Sequence, residues 1–227
     1  MARLSMDVSA NLIEGSHTVC NVRRDFPEWH LGRSPYVFWA LDVDVLAVRA
    51  LVARAAVLLG GYLLDGYGRP PHVTLDLCGF PSAAPTSADE FSPAMLERQC
   101  SALRAAGVSA FEIEVGGLSS FSSAPFLGAV DRGGHIAAVR ECLAVDGHSR
   151  LFGDYVPHVT VGLYGGAWPA AEIGACLASF SGEDRTHCRI ERISLMAYQP
   201  TEIGGPLSCL ADYLLASGEM RWHRALF

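Results

Sequence analysis

Two apolar, threonine-bearing runs dominate the hydropathy pattern: Pro71-His72-Val73-Thr74-Leu75-Asp76-Leu77 and Pro157-His158-Val159-Thr160-Val161-Gly162-Leu163. Each opens on a proline and runs into a glycine-containing turn (Gly79, Gly165), which reads as a buried strand. Alternation places His72, Thr74, Asp76 and Cys78 on one face of the first strand and Val73, Leu75 and Leu77 on the other. In the second strand His158, Thr160, Gly162 and Tyr164 oppose Val159, Val161 and Leu163. Residues i and i+2 lie about 6–7 Å apart along a strand, so each imidazole and the hydroxyl beside it can touch one small anionic group.

The rest of the pattern falls into two similar halves. In the first, a strand over 36–41 leads to a helix over 45–59, capped by Asp42 or Asp44 and stopped by Gly60-Gly61; its apolar positions Val45, Val48, Val52, Ala55 and Leu59 recur at three and four. The first His strand follows, then a polar loop over 81–87. Ser92-Pro93 opens a helix to about Ala106, closed by Gly107. Residues 110–115 alternate as a half-exposed strand. The second half has a strand over 126–130, a helix marked by Ile136, Val139, Cys142 and Leu143 and ending at Gly147, the second His strand, a helix over 169–180, and a strand over 188–195. Each half is thus strand, helix, His strand, helix, strand, and the two histidines stand 86 positions apart (158 minus 72), which points to internal duplication. The segment 206–216 adds one strand and 221–227 another short one. Residues 1–35, with weak periodicity, form an N-terminal extension that partly wraps a single two-lobed domain over 36–227; Phe26 and Trp29 within it read as packing onto the body rather than as a pocket wall.

Composition narrows the chemistry. A hydrophobic fraction of 50% over 227 residues supports a substantial core. The N-terminus lacks the apolar stretch of a signal peptide and the apolar runs are interrupted by charge, so a soluble, cytoplasmic protein without membrane association is expected. A formal charge of −7 excludes a general nucleic-acid coat, which needs a dense basic surface, but leaves room for one local basic pocket. The seven cysteines are scattered without a Cys-x-x-Cys pair, and Cys100, Cys142 and Cys176 fall on apolar helix stripes; they read as reduced core residues, with disulfides or a zinc cluster as the alternatives. No lysine is present, so all 17 basic residues are arginines. A P-loop lysine, a Schiff-base lysine and a lysyl-nucleotidyl intermediate are thereby excluded.

A lone histidine beside a threonine is usually structural; the weight here comes from the doubling at matched positions. Two imidazoles facing one another suit phosphodiester chemistry, because a pKa near 6.5 populates both the proton-accepting and the proton-donating form near neutrality. Threonine hydroxyls can donate to non-bridging phosphate oxygens. That chemistry requires neither metal nor cofactor. A metallohydrolase built on the two histidines would need a third ligand, which threonine at i+2 does not supply. His17, His30, His135, His148, His187 and His223 have no such context and read as surface or packing residues.

The doubled His-Val-Thr motif, with Phe38-Trp39-Ala40-Leu41-Asp42 at the opening strand and Phe152-Gly153-Asp154-Tyr155-Val156 before the second motif, resembles the 2H phosphoesterase superfamily, in particular its 2′-5′ RNA ligase-like branch with the RNA 2′,3′-cyclic phosphodiesterases. The resemblance spans about 37–215. It implies an α+β, bilobal fold of duplicated β-α-β-α-β units, with two antiparallel sheets around a central cleft and helices outside. It implies His72, Thr74, His158 and Thr160 as catalytic residues opening a 2′,3′-cyclic phosphate or 2′-5′-linked end, with 2′-5′ ligation as the reverse reaction, His158 as base and His72 as acid. The expected partner is an RNA end or a small cyclic-phosphate nucleotide, bound by a monomer. A non-catalytic RNA or nucleotide-binding module of the same fold is the alternative.

Five further residues are candidates for substrate contact. Arg69 either meets a phosphate or is a surface arginine. Asp76 either orients His72 or a water, or is a solvated strand-end carboxylate. Phe80, Tyr155 and Tyr164 either stack on a base or belong to the core.

Overall fold

The computed structural model describes residues 15–144, 155–180 and 185–227. After a short helix α1 (Pro27–His30), strand β1 (Tyr36–Asp42) enters the interior, with all but its last residue buried. Helix α2 (Leu46–Leu58) follows, and its start departs from expectation. The cap position is Val45, with no side-chain hydrogen bond. Asp42 instead accepts from the Asp44 amide and Asp44 grips the Arg49 guanidinium. The first His strand is β2 (His72–Pro81), longer than predicted. A two-residue strand β3 (Glu90–Phe91) leads into helix α3 (Pro93–Ala106). Here the sequence signals act as written: Ser92 Oγ accepts from the Met95 amide, and Gly107 adopts the left-handed conformation (φ 61°) that closes the helix.

Strand β4 (Phe111–Ser120) turns directly into β5 (Pro125–Val130). Helix α4 (His135–Leu143) stops with its cap at Ala144, short of Gly147, which lies outside the described residues. The second His strand, β6 (His158–Thr160), is only three residues long. Beyond Thr160 the chain stays bonded to the β4–β5 connection, Val161 N to Pro125 O (2.9 Å) and Tyr164 N to Ser123 O (3.1 Å), and on its other side pairs with the connection after α2: Leu64 N donates to Leu163 O (2.7 Å) and Gly165 N to Tyr62 O (3.0 Å). Helix α5 (Ala170–Ala178) follows. The strand expected over 188–195 is two strands, β7 (Arg185–Ile190) and β8 (Arg192–Tyr198), hinged at Glu191. Strands β9 (Ser208–Leu214) and β10 (Glu219–Trp222) end the fold.

Among the described residues the strands form a six-stranded sheet of order β10-β9-β8-β1-β2-β3 and a four-stranded sheet of order β6-β5-β4-β7. These pairs are antiparallel except β2 with β3. The halves read along the chain are therefore not the halves in space. β4 closes the first half in sequence but pairs with β5, because four residues between them permit only a hairpin. β8 takes the matching place beside β1. The resulting α+β architecture has one His strand in each sheet, β2 and β6, packed near one another.

A single large core joins the lobes. Val73 and Leu75 of β2, Val159 of β6, Trp39 and Leu41 of β1, and Leu127 of β5 meet apolar residues of α2, α3 and α4. Each such side chain contributes about 1.5–3 kcal/mol on full burial. One polar bridge crosses this core: Trp39 Nε1 donates to Gln99 Oε1 (2.9 Å) and Gln99 Nε2 donates to Leu143 O (2.8 Å). A smaller core around α5 holds Leu59, Tyr164, Ile173 and Leu177. The segment from Ser16 to Asn21 lies along 164–170 through backbone hydrogen bonds, and Trp29 packs on Tyr36 and Phe80. Among the described residues no helix is long and apolar enough to cross a membrane.

Candidate active site

The two histidines are held in the same way by local chain geometry. The prolines before them cannot donate, yet their carbonyls accept the first cross-strand bonds, from Val43 N to Pro71 O (3.3 Å) and from Ala129 N to Pro157 O (2.9 Å). Each imidazole then turns its Nδ1 back on the carbonyl two residues earlier, His72 on Pro70 O (2.8 Å) and His158 on Val156 O (2.7 Å). A carbonyl only accepts, so Nδ1 carries the proton in both rings and Nε2 is the nitrogen left for the cleft.

Aromatic rings set the depth of each imidazole. Phe38, from the strand beside β2, lies 5.6 Å from the His72 ring; Phe126, from the strand beside β6, lies 5.2 Å from His158, and Phe121 4.9 Å. Burial disfavours the charged form and is the main cause of the low pKa of both rings. His72, 7% exposed, is pushed down to about 4; the Pro70 carbonyl opposes this, the Arg69 guanidinium and His158 add to it, and Asp42 partly offsets it. His158 is lowered by burial and partly restored by the Val156 carbonyl. Both imidazoles are therefore neutral near pH 7, and a proton on either ring disfavours one on the other.

Thr74 and Thr160 remain partly exposed beside their histidines. Arg69 reaches over the Tyr198 ring (4.4 Å to its centroid), close enough to depress His72, and its Nε is buried with no hydrogen-bond partner among the described residues. Tyr155 bridges the lobes. Its hydroxyl donates to Thr74 O (2.8 Å) while the Arg140 guanidinium covers its ring at 3.5 Å, so that ring face is occupied by packing.

Four expected positions fall elsewhere. β-Bulges in β2 interrupt the alternation, at Leu75 between the pairs Ala40–Thr74 and Trp39–Asp76, and at Cys78 between Phe38–Leu77 and Val37–Gly79. Asp76 (4% exposed) accordingly shares the side of Trp39 and the main core, and Cys78 joins that core, while Leu77 packs with Phe38 and Ala40 on the His72 side. Phe80, 1% exposed, is enclosed by Trp29, Tyr36 and Arg33 at the far end of β2, roughly 26 Å along the strand from His72. Tyr164 is fully buried in the α5 core, its hydroxyl bonded to Ser120 Oγ (2.6 Å). The place opposite Asp76 in the duplicated motif, Gly162, is filled from outside: a β-carbon there would stand 3.1 Å from a Leu63 methyl.

Residues not singled out from sequence complete the site. Tyr67, in the Gly66-Tyr67-Gly68 approach to the first motif, is partly buried, and the Thr160 side chain lies within hydrogen-bonding reach of its hydroxyl, which brings the first motif's loop to the second motif. Tyr198 carries Arg69, and Phe38 and Phe126 flank the imidazoles. The signal for the two phenylalanines was present in the strand order, since each lies in the strand preceding a His strand; that for Tyr67 was only an aromatic between two glycines.

No curated protein matches the chain. Among solved structures, TT0787 of Thermus thermophilus superposes with a TM-score of 0.50 at 16% identity over 79% of this chain and 97% of its own, and so shares the fold. Escherichia coli LigT, in a structure with 3'-AMP, gives 0.49 at 15% identity over 82% and 100%. Usb1 of Kluyveromyces marxianus gives 0.43 at 15% over 78% and 96%. The family model of the 2'-5' RNA ligase superfamily matches residues 46–202, a span that contains both His-Val-Thr strands and the loop of Tyr67 and Arg69. With that match over more than half its length, the chain belongs to the 2'-5' RNA ligase superfamily of 2H phosphoesterases.

Proposed function

We propose that this phosphoesterase opens a 2′,3′-cyclic phosphate, at an RNA end or on a small nucleotide, by acid–base catalysis between His72 and His158. The observation that carries the reading is the matched anchoring of the two rings: each Nδ1 is fixed on the carbonyl two residues back, which leaves two Nε2 atoms, and a threonine two residues beyond each, for one bound phosphate. One Nε2 takes a proton from water as its oxygen bonds to phosphorus. The other, entering as imidazolium, gives its proton to the ribose oxygen as the P–O bond breaks, yielding a phosphomonoester and a free hydroxyl.

The electrostatics favour His72 as the acceptor, the reverse of the assignment implied by resemblance. Its ring is the more deeply buried and lies in the field of Arg69, both of which hold it neutral. Burial alone lowers His158, which makes it the better site for the donated proton. A phosphodiester anion between the rings raises both pKa values by direct attraction, so protonation of His158 accompanies substrate binding. Thr74 and Thr160 donate to the non-bridging oxygens, and the unpartnered Arg69 Nε supports a further phosphate contact.

The test is hydrolysis of nucleoside 2′,3′-cyclic phosphates and 2′-5′ dinucleotides by purified protein in EDTA. His72→Ala and His158→Ala are each expected to lose roughly 10²–10⁴-fold in kcat. Turnover retained in the double variant would refute the mechanism, and tight binding without turnover in the unaltered protein would identify a nucleotide-binding module instead.

A further inference from the structure

A second constellation lies on the same face of the six-stranded sheet, away from the histidine pair. Thr74 is in register with Ala40, Ala40 with Ser194, and Ser194 with Asp212, a row that crosses three strand spacings, about 14 Å. At its end Cys209, Asp212 and His223 bring one donor atom each to within 4.8 Å of one another. Cys209 and Asp212 are three residues apart and would point to opposite faces of a regular strand. They share a face because β9 is bulged at Leu210, between the pairs Leu195–Ala211 and Met196–Cys209. Leu210 and Ala211 both enter the core. The carbonyl of Leu210 then accepts from His223 N (2.8 Å) and Arg224 N (3.1 Å), which sets the chain after β10 across the cluster.

The geometry points to a zinc site formed by Cys209 Sγ, an Asp212 carboxylate oxygen and His223 Nε2, with a fourth position open to water or an anionic oxygen. A tetrahedral zinc ion holds a sulfur and an oxygen ligand about 3.6 Å apart and a nitrogen and an oxygen ligand about 3.4 Å apart. Here Cys209 Sγ stands 3.6 Å from Asp212 Oδ1 and His223 Nε2 stands 2.9 Å from the other oxygen, Oδ2; one donor atom from each of the three residues lies within 4.8 Å of the others, so a rotation of the carboxylate brings one oxygen to both neighbours. The carboxylate already has an orienting partner, Ser194 Oγ, which donates to Oδ1 at 2.6 Å from a fully buried position. Charge also balances. Zinc displaces the thiol proton, and thiolate plus carboxylate neutralise the ion. Arg192, 3.4 Å from Asp212, keeps its second partner Asp42 at 2.6 Å. The mixed S, N, O donor set suits zinc rather than magnesium or calcium.

The metal-stripped full-length protein, titrated with Zn²⁺ against a chromophoric chelator, is expected to take up one ion at this cluster. Co²⁺ in its place should give a thiolate-to-metal charge-transfer band and tetrahedral d–d bands. Cys209→Ser and His223→Gln should weaken Zn²⁺ binding by at least about 100-fold and Ser194→Ala by about 10–100-fold, whereas Cys20→Ser should leave it unchanged. His223 is partly exposed, so its replacement leaves the core intact. Absence of the thiolate band in the unaltered protein, or a band that survives in Cys209→Ser, would overturn the assignment. Zinc at this site stands apart from the acid–base pair, so its removal should not abolish hydrolysis by His72 and His158.

Discussion

Acidification should destabilise this protein, with the largest share from one imidazole, and the size of that share follows from the site. His72 has a pKa of about 4 in the folded state because its ring is buried behind Phe38 beside Arg69; in the unfolded chain it returns to about 6.5. The folded-state value is depressed, so above about pH 6.5 neither state binds the proton and there is no penalty. As pH falls between 6.5 and 4 the unfolded state takes up the proton first, and stability is lost over that window. The loss is about 2 kcal/mol by pH 5 and about 3 kcal/mol by pH 4, from one proton and 1.36 kcal/mol per pKa unit. His158 and Asp212, also lowered, act in the same direction. The His72 share is isolated by comparing unfolding midpoints in urea at pH 7.5 and 5 for the unaltered protein and His72→Gln. With a urea slope of about 2–3 kcal/mol/M, the midpoint should drop by about 1 M more in the unaltered protein. Parallel loss of stability in both proteins would refute the reasoning. It would mean that the ring reaches water and ionises in the folded state without penalty.

Two further perturbations separate binding from packing. Arg69→Gln should lower kcat/KM for a 2′,3′-cyclic phosphate by about 10–100-fold at unchanged fold, and removal of its positive field should move the acidic limb of the pH–rate profile to higher pH; an unmoved limb would place Arg69 outside the site's electrostatics. Gln99→Met should cost about 3 kcal/mol in chemical unfolding, because it strands the Trp39 indole N–H and the Leu143 carbonyl in the core. A loss below about 1 kcal/mol would show that these groups find other partners.

Much of this protein was legible along the chain because the deciding interactions are local. The Ser92 cap, the Gly107 stop, the opening strand and the Pro-His-Val-Thr strands depend on residues within a turn of one another, and duplication of the motif marked the histidine pair. The anchoring of each imidazole on a carbonyl two residues back is local too. The apolar alternation likewise assigned Val73, Leu75 and Val159 to the core.

What lay beyond the sequence was set by partners distant along it. Strict alternation placed Asp76 and Cys78 beside the histidine, but the bulges in β2 arise only from pairing with β1, and each one reverses every side chain beyond it. Tyr164 and Phe80 looked like stacking residues near the motifs; which aromatic ring faces a ligand and which a core depends on α5 and on the Trp29 segment that cover them. The run over 188–195 reads as one strand, yet its two ends satisfy different sheets, and β4 and β8 exchange the places that chain order suggests. Tyr67 met Thr160 only when the two motifs were brought together, and Cys209 met His223 only through the bulge in β9 and its pairing with β10. Sequence periodicity determined the two His-Val-Thr strands and the side chains they bring together. Strand pairing, whose register no single strand encodes, decided which of their neighbours share the cleft.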